Sequence, residues 1–73
     1  MSDLPVELRR LRLARRWNQQ QLANAVGVSK SLITSFETAR LVPQEDTAKA
    51  LDEALGSGDR VQQMSAEMRG DRR

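Results

Sequence analysis

Apolar residues recur at helical spacing through most of this chain, in five segments that short polar turns separate. The pattern predicts helices at about 5–15, 19–26, 30–37, 44–55 and 59–68. Pro5 suits the start of the first helix, Pro43 can open the fourth, and Gly56 ends it. The sequence therefore predicts an all-α fold, a compact domain of four to five helices.

Each predicted helix has one apolar face, and these faces define the expected core. In chain order, the residues expected to face inward are Leu4, Leu8, Leu11 and Arg15; Leu22, Ala23 and Val26; Leu32, Ile33 and Phe36; Ala48, Leu51, Ala54 and Leu55; and Val61, Met64 and Met68. We expect Trp17 to pack into this core rather than to stack on a nucleic-acid base. The fifth face either folds back onto the first and fourth helices or forms a dimer contact. We favour the first, because methionines fill irregular core gaps.

The run from Asn18 to Glu37 reads as two short helices joined by a tight turn. Asn18 can cap the first of them, and Gly27 ends it, because glycine accepts the left-handed conformation that a sharp reversal needs. Ser29 can cap the next helix. This is the outline of a helix-turn-helix.

The outward face of the predicted helix at 30–37 is polar and carries Lys30, Ser31, Thr34 and Ser35. These short or flexible hydrogen-bonding groups suit contacts with base edges from a helix laid in a major groove. We therefore expect these four residues to contact bases of duplex DNA.

Charge is distributed unevenly between the two parts of the chain. Residues 1–43 carry a formal charge of +4 and residues 44–73 carry −2, within a net charge of +2. The positive part contains the helix-turn-helix, as a surface facing phosphates requires. For the arginines at 9–16 taken alone, a solvated charged helix is an equally good explanation.

Composition excludes several other classes of protein. The chain has no cysteine and no histidine, so it lacks disulfides, thiolate metal sites and the usual catalytic base. We expect no enzyme activity, no cofactor and no metal. No apolar run approaches the roughly 18 residues that a membrane span needs, so we expect a cytoplasmic protein.

The length of 73 residues fits one domain, which we place at 1–69, followed by a polar tail at 70–73. A core this small is marginal, and dimerisation would help to stabilise it. If the chain is a fragment, a linker to a missing C-terminal domain begins in this tail.

Taken together, these motifs resemble the Cro/C1-type (XRE) helix-turn-helix family, which has a lambda-repressor-like fold. The resemblance covers about Leu8 to Gly56. It rests on LRRLR in the first helix, NQQQLANAVGVS across the turn, SLITSFE in the third helix, a proline at the start of the fourth and ALDEALG at its end. Each pattern is weak alone, but their order and spacing are specific.

The resemblance implies roles for individual residues. Lys30, Ser31 and Ser35 match base-reading positions, and Thr34 faces the same groove or its phosphate wall. The residues expected at DNA phosphates are Asn18, Gln19, Ser29, Thr38 and Arg40. Arg12 and Glu37 match a structural ion pair that joins the first helix to the end of the third.

The chain departs from the family pattern at three places. Thr38 and Ala39 stand where Asn-Gly is usual, so a positive φ at Ala39 would cost roughly 1 kcal/mol relative to glycine. Asp52 replaces a small apolar residue and Ala48 replaces a leucine. We expect these two changes to thin the core, which favours coverage by the fifth segment.

The expected function is that of a transcriptional regulator, more often a repressor in this family, that binds a palindromic operator as a homodimer. The alternative is a protein-interaction module, antitoxin-like or regulator-binding, on the same fold. The polar outward face of the third helix argues against this alternative, because protein hot spots need exposed apolar clusters.

Overall fold

Five α-helices follow one another along the chain, and the computed structural model describes residues 3–70. The helices are α1 (Leu4–Ala14), α2 (Gln19–Val26), α3 (Lys30–Glu37), α4 (Glu45–Leu55) and α5 (Arg60–Met68). Within the described residues there is no β-strand. The predicted all-α, lambda-repressor-like fold is therefore confirmed in its five-helix form.

Four helix ends differ from the predicted bounds by one residue. α1 begins at Leu4 rather than Pro5. α1 ends at Ala14 rather than Arg15, because the chain turns and Arg16 takes a left-handed φ of 61°. Gln44 and Asp59 precede α4 and α5 as extended or irregular N-terminal flanking residues, so neither belongs to its helix. The predicted tail lies outside the described residues beyond Gly70.

The five apolar faces meet in one core. Its buried members are Leu4, Leu8, Leu22, Ala23, Ile33, Phe36, Ala48, Leu51, Leu55 and Val61. Complete burial of each large side chain is worth roughly 1.5–3 kcal/mol, so this core supplies most of the driving force that fixes the helices. α3 packs on α1 and α2, and α2 also packs on α4. α3 is thereby fixed from two sides.

Arg15 does not lie on the inward face of α1, contrary to the prediction. It is exposed, and its guanidinium lies over the Trp17 ring at 4.9 Å from the ring centre. Arg12 is buried instead, one turn beyond Leu8. Trp17 is half-buried and packs against the core, as expected.

α5 folds back onto α4 and α1, as we favoured. Its buried residues are Val61 and Ser65, whereas Met64 and Met68 are only half-buried at the edge of the core. The buried face of α5 is therefore rotated about the helix axis relative to the predicted face of Val61, Met64 and Met68. Ser65 is small enough for close helix packing, and its hydroxyl has no hydrogen-bond partner.

Asp52, on α4, is buried against the start of α5. Its side chain is 2% exposed and accepts four hydrogen bonds, from the Ser57 hydroxyl, the backbone N–H groups of Val61 and Gln62, and the Gln62 amide. Asp59, which directly precedes the first residue of α5, makes no side-chain capping bond. A residue of α4 therefore caps α5 and ties the two helices together.

Candidate nucleic-acid interface

The turn between α2 and α3 is built by two caps and one glycine. Asn18 and Gln21 form a reciprocal capping box at the start of α2. Gly27 ends α2 with a φ of 88°, and Ser29 accepts a hydrogen bond from the Leu32 N–H at the start of α3. These local bonds fix the angle at which α3 leaves the turn.

The outward side of α3 forms part of one shallow depression. Ile33 and Phe36 are buried on the opposite side of this helix. The depression has a volume of about 370 Å³, and its lining residues are Lys30, Ser31, Thr34, Ser35, Thr38 and Arg40. It thus brings together all four residues predicted at bases and two of those predicted at phosphates.

A second depression connects the start of α2 with the start of α3. It has a volume of about 320 Å³, and its lining residues are Arg12, Asn18, Gln19, Gln20 and Lys30. Lys30 lines both depressions, so the residues predicted at phosphates on α2 adjoin the residues predicted at bases on α3. Ser29 is exposed directly before α3.

A buried ion pair holds the end of α3 against α1. Arg12 donates from Nε to Glu37 Oε2 at 2.7 Å and from Nη2 to Oε1 at 3.0 Å. The two side chains are only 9% and 5% exposed, and Arg12 also donates to the Trp17 carbonyl at 2.8 Å. Glu37 therefore has a structural role: it holds the end of α3 against α1, and Arg12 neutralises its charge.

Gln19 lies between this ion pair and the outward face of α3. Its Nε2 donates to Glu37 Oε1 at 3.2 Å, and its Oε1 accepts from the Thr34 hydroxyl at 2.9 Å. Sequence reasoning placed Gln19 at a phosphate and missed these bonds. No local pattern signals them, because the partners lie 15 and 18 residues away.

Two capping residues accept hydrogen bonds from their own helices and keep their donors for a ligand. A phosphate only accepts hydrogen bonds, so a contact with one needs a free donor. Asn18 Oδ1 accepts from the Gln21 N–H at 2.7 Å, which leaves its amide hydrogens available. Ser29 Oγ accepts from the Leu32 N–H at 3.2 Å, which leaves its hydroxyl hydrogen available.

Gln19 and Gln20 add backbone donors at the same place. The first N–H groups of a helix have no partner within it, and the capping box satisfies the N–H groups of Asn18 and Gln21 but not those of Gln19 and Gln20. The exposed N-terminus of α2 therefore offers N–H groups to an anion, together with the partial positive charge of the helix end.

Thr38 has a different orientation from the other residues predicted at phosphates. Its hydroxyl donates to the Thr34 carbonyl at 2.8 Å, with a longer contact of 3.4 Å to the Ser35 carbonyl. A phosphate contact would require this hydroxyl to rotate and give up its bond within α3. Arg40, which is exposed beside it, is the stronger candidate as a phosphate donor.

The loop after α3 contains a strained residue. Ala39 has a φ of 63°, in the left-handed region where glycine is usual. The next residue, Arg40, donates its backbone N–H to the Ser35 carbonyl at 2.9 Å. The positive φ at Ala39 lets the chain fold back and brings Arg40 to the depression beside α3.

None of the helices within residues 3–70 has the length and apolar character needed to cross a membrane. A family model described as a helix-turn-helix domain matches residues 3–63, which is most of the chain. Comparison with curated proteins and with solved structures gives no match. Proteins of this family are typically non-enzymatic, and the helix-turn-helix indicates DNA as the partner. The chain belongs to the helix-turn-helix family of the Cro/C1-type, lambda-repressor-like class.

Proposed function

We propose that the protein is a sequence-specific transcriptional regulator that binds duplex DNA as a homodimer and acts as a repressor in the cytoplasm. In this proposal α3 lies in the major groove, with Lys30, Ser31, Thr34 and Ser35 toward base edges. The observation that carries the proposal is the single depression that these residues line together with Arg40.

The donors around the start of α2 would fix the register of the protein on DNA. Asn18, Ser29, Arg40 and the backbone N–H groups of α2 each carry hydrogen-bond donors that suit a phosphate. Lys30 reaches from this surface toward the base-reading face, where guanine O6 and N7 are suitable acceptors. The positive charges of Lys30 and Arg40 and the hydrogen-bond donors around them therefore both favour duplex DNA as the ligand.

The small surface that one copy of the protein can offer to DNA favours binding as a homodimer. One short helix with serine and threonine side chains supplies modest affinity and base discrimination. Two copies on a palindrome, with half-sites about 34 Å apart, raise both. A repressor then acts by occupying a site that the transcription machinery needs.

The alternative function, a protein-interaction module, receives less support. The large apolar side chains that are most exposed within residues 3–70 are Val6, Leu13 and Leu41. None of them belongs to α3, so the outward face of that helix lacks the apolar anchors that protein interfaces use.

Selection of bound sequences from a pool of random duplexes, at about 50 mM and 200 mM salt, tests the proposal. We expect enrichment of a palindrome with one-turn spacing and a steep loss of affinity at the higher salt. Lys30→Ala should relax the preference at one position by about 1–3 kcal/mol. Absence of binding at both salt concentrations would transfer support to the protein-interaction module.

A further inference from the structure

A chain of hydrogen bonds leads from the buried ion pair to the reading face of α3. Paired with Arg12, the Glu37 carboxylate can only accept, so Gln19 must present its amide nitrogen to Glu37. The Gln19 carbonyl oxygen then faces Thr34, and the Thr34 hydroxyl must donate to it. The direction of every bond in the chain is therefore set by the charge of Glu37.

We propose that Thr34 acts toward DNA only as a hydrogen-bond acceptor and selects a base amino group, adenine N6 or cytosine N4. This inference rests on the proposed function and names the base chemistry that one of its residues reads. Gln19 is in this view a positioning residue, because it determines what Thr34 presents in the groove.

The chemistry of the hydroxyl group carries the inference. Threonine has one hydroxyl hydrogen and two acceptor lone pairs, and the hydrogen is engaged by Gln19 at 2.9 Å. To donate to a base, Thr34 would have to release Gln19 Oε1, which lies in a half-buried position. Guanine O6 and N7 and thymine O4 are acceptors and would need such a donor.

Every base pair offers both an amino donor and acceptors in the major groove. Base analogues that remove one of these groups at a time therefore test the inference directly. Thr34→Val identifies the base pair of the operator that Thr34 contacts, because this substitution should abolish the base preference at that position only. At that position, replacing adenine by purine or cytosine by pyrimidin-2-one removes only the amino group. We expect this change to weaken wild-type binding about 3- to 10-fold and to leave Thr34→Val binding unchanged.

The opposite analogue is the control for hydrogen-bond polarity. A 7-deaza purine at the same position removes an acceptor and keeps the amino group, and we expect it to change wild-type binding less than about 2-fold. Thr34→Ser, which keeps the hydroxyl, should retain the sensitivity to loss of the amino group. The inference would be overturned if the 7-deaza purine weakened wild-type binding by more than about 2-fold. It would also be overturned if Thr34→Val left the base preference unchanged at every operator position.

Gln19→Leu tests the positioning role. This substitution frees the Thr34 hydroxyl to donate to a base acceptor instead of accepting from the amino group. We therefore expect the loss of binding caused by removal of the amino group to fall toward 1-fold. The matched control is Gln20→Leu, because the Gln20 amide bonds Asn24 at 3.0 Å and not Thr34. A residue that only touches a phosphate would weaken all sequences alike and leave this sensitivity intact.

Nuclear magnetic resonance of the free protein separates the inference from the proposed function. A slowly exchanging Thr34 hydroxyl proton is expected in the wild type and in Gln20→Leu, and not in Gln19→Leu. If the proton is absent while DNA is bound, the inference fails and the function stands. If it is present while no duplex is bound, the function fails, and with it the base contact.

Discussion

The buried carboxylate of Asp52, on α4, accepts the backbone N–H of Val61 in the first turn of α5 at 2.9 Å. The same side chain accepts the N–H of Gln62 at 3.0 Å. A carboxylate beside the N-terminus of a helix satisfies its free N–H groups and interacts favourably with its dipole. α5 therefore depends on a residue of the helix against which it packs.

Removal of this cap should destabilise the protein. We expect Asp52→Ala to lower the free energy of unfolding by about 2–3 kcal/mol, because it leaves buried donors without acceptors. Urea denaturation followed by Trp17 fluorescence measures the change, and hydrogen exchange should show the largest loss of protection in α5. The control is Glu53→Ala, at the exposed neighbouring position, which should remain within about 0.5 kcal/mol of the wild type. Equal stability of the two variants would contradict the capping role.

The Arg12–Glu37 pair should show strong energetic coupling. Arg12→Met and Glu37→Met should each cost about 3–5 kcal/mol, because each leaves a buried charge without its partner. The double variant should be more stable than the two losses added together imply, by at least about 2 kcal/mol. Denaturation of all four proteins completes the cycle.

The pair of Arg10 and Glu7 is the matched control for this cycle. It lies on the surface of α1, where the Arg10 side chain is 62% exposed. We expect its coupling to stay below about 1 kcal/mol, because solvent screens surface ion pairs. Similar coupling in both cycles would mean that burial of the Arg12–Glu37 pair has no energetic consequence.

Replacement of Ala39 by glycine should stabilise the protein. The left-handed φ of 63° strains any residue with a Cβ atom, and glycine removes that strain. We expect a gain of about 0.5–1 kcal/mol in the free energy of unfolding, after allowance for the greater freedom of glycine in the unfolded chain. Ala25→Gly, the same change within helix α2, should have the opposite sign and cost about 0.5–1 kcal/mol. A loss at both positions would show that Ala39 is not strained.

The contribution of Arg40 should appear in the salt dependence of DNA binding. Arg40→Gln should weaken binding to all sequences alike and reduce the slope of log affinity against log salt by about 1. Lys49→Gln removes the same charge at a depression between α4 and α5, and we expect no change in the slope. Titrations at several salt concentrations distinguish the two. A change of sequence preference with Arg40→Gln would instead assign it to base reading.

The surface contact between α1 and α5 should make stability depend on pH. A hydrogen bond from Arg10 lowers the pKa of Glu7 below its usual value, and the charges of Arg10 and Arg60 act in the same direction. A lowered carboxyl pKa stabilises the fold above the unfolded value, and this contribution is lost as pH falls through the folded value. The stability difference between wild type and Glu7→Gln should therefore shrink as pH falls from 6 to 3. A stability difference that does not change with pH in this range would show that the pKa of Glu7 is the same in the folded and unfolded states.

Much of the fold was predictable because it depends on local spacing. The apolar faces predicted the buried residues of α2 and α3, and the capping residues Asn18 and Ser29 with Gly27 between them predicted the turn. The exposed positions of Lys30 and Ser31 follow from the same periodicity. Each of these features is decided by residues within about one helical turn, so the sequence shows them directly.

Less of the candidate site was predictable, because its chemistry depends on contacts between distant parts of the chain. The sequence indicated Thr34 on the outward face, and the resemblance assigned Gln19 to a phosphate. Neither could show that they bond each other, or that Glu37 sets the direction of that bond.

The sequence by itself therefore determined the five helices, the turn and the residues that face outward from α3, since caps and periodicity are local. Only the tertiary structure decided that Ser65 rather than Met64 is buried, that Asp52 caps α5, and which way the Thr34 hydroxyl points. These depend on how helices distant along the chain approach one another. Close packing and the need of every buried polar group for a partner fix that approach.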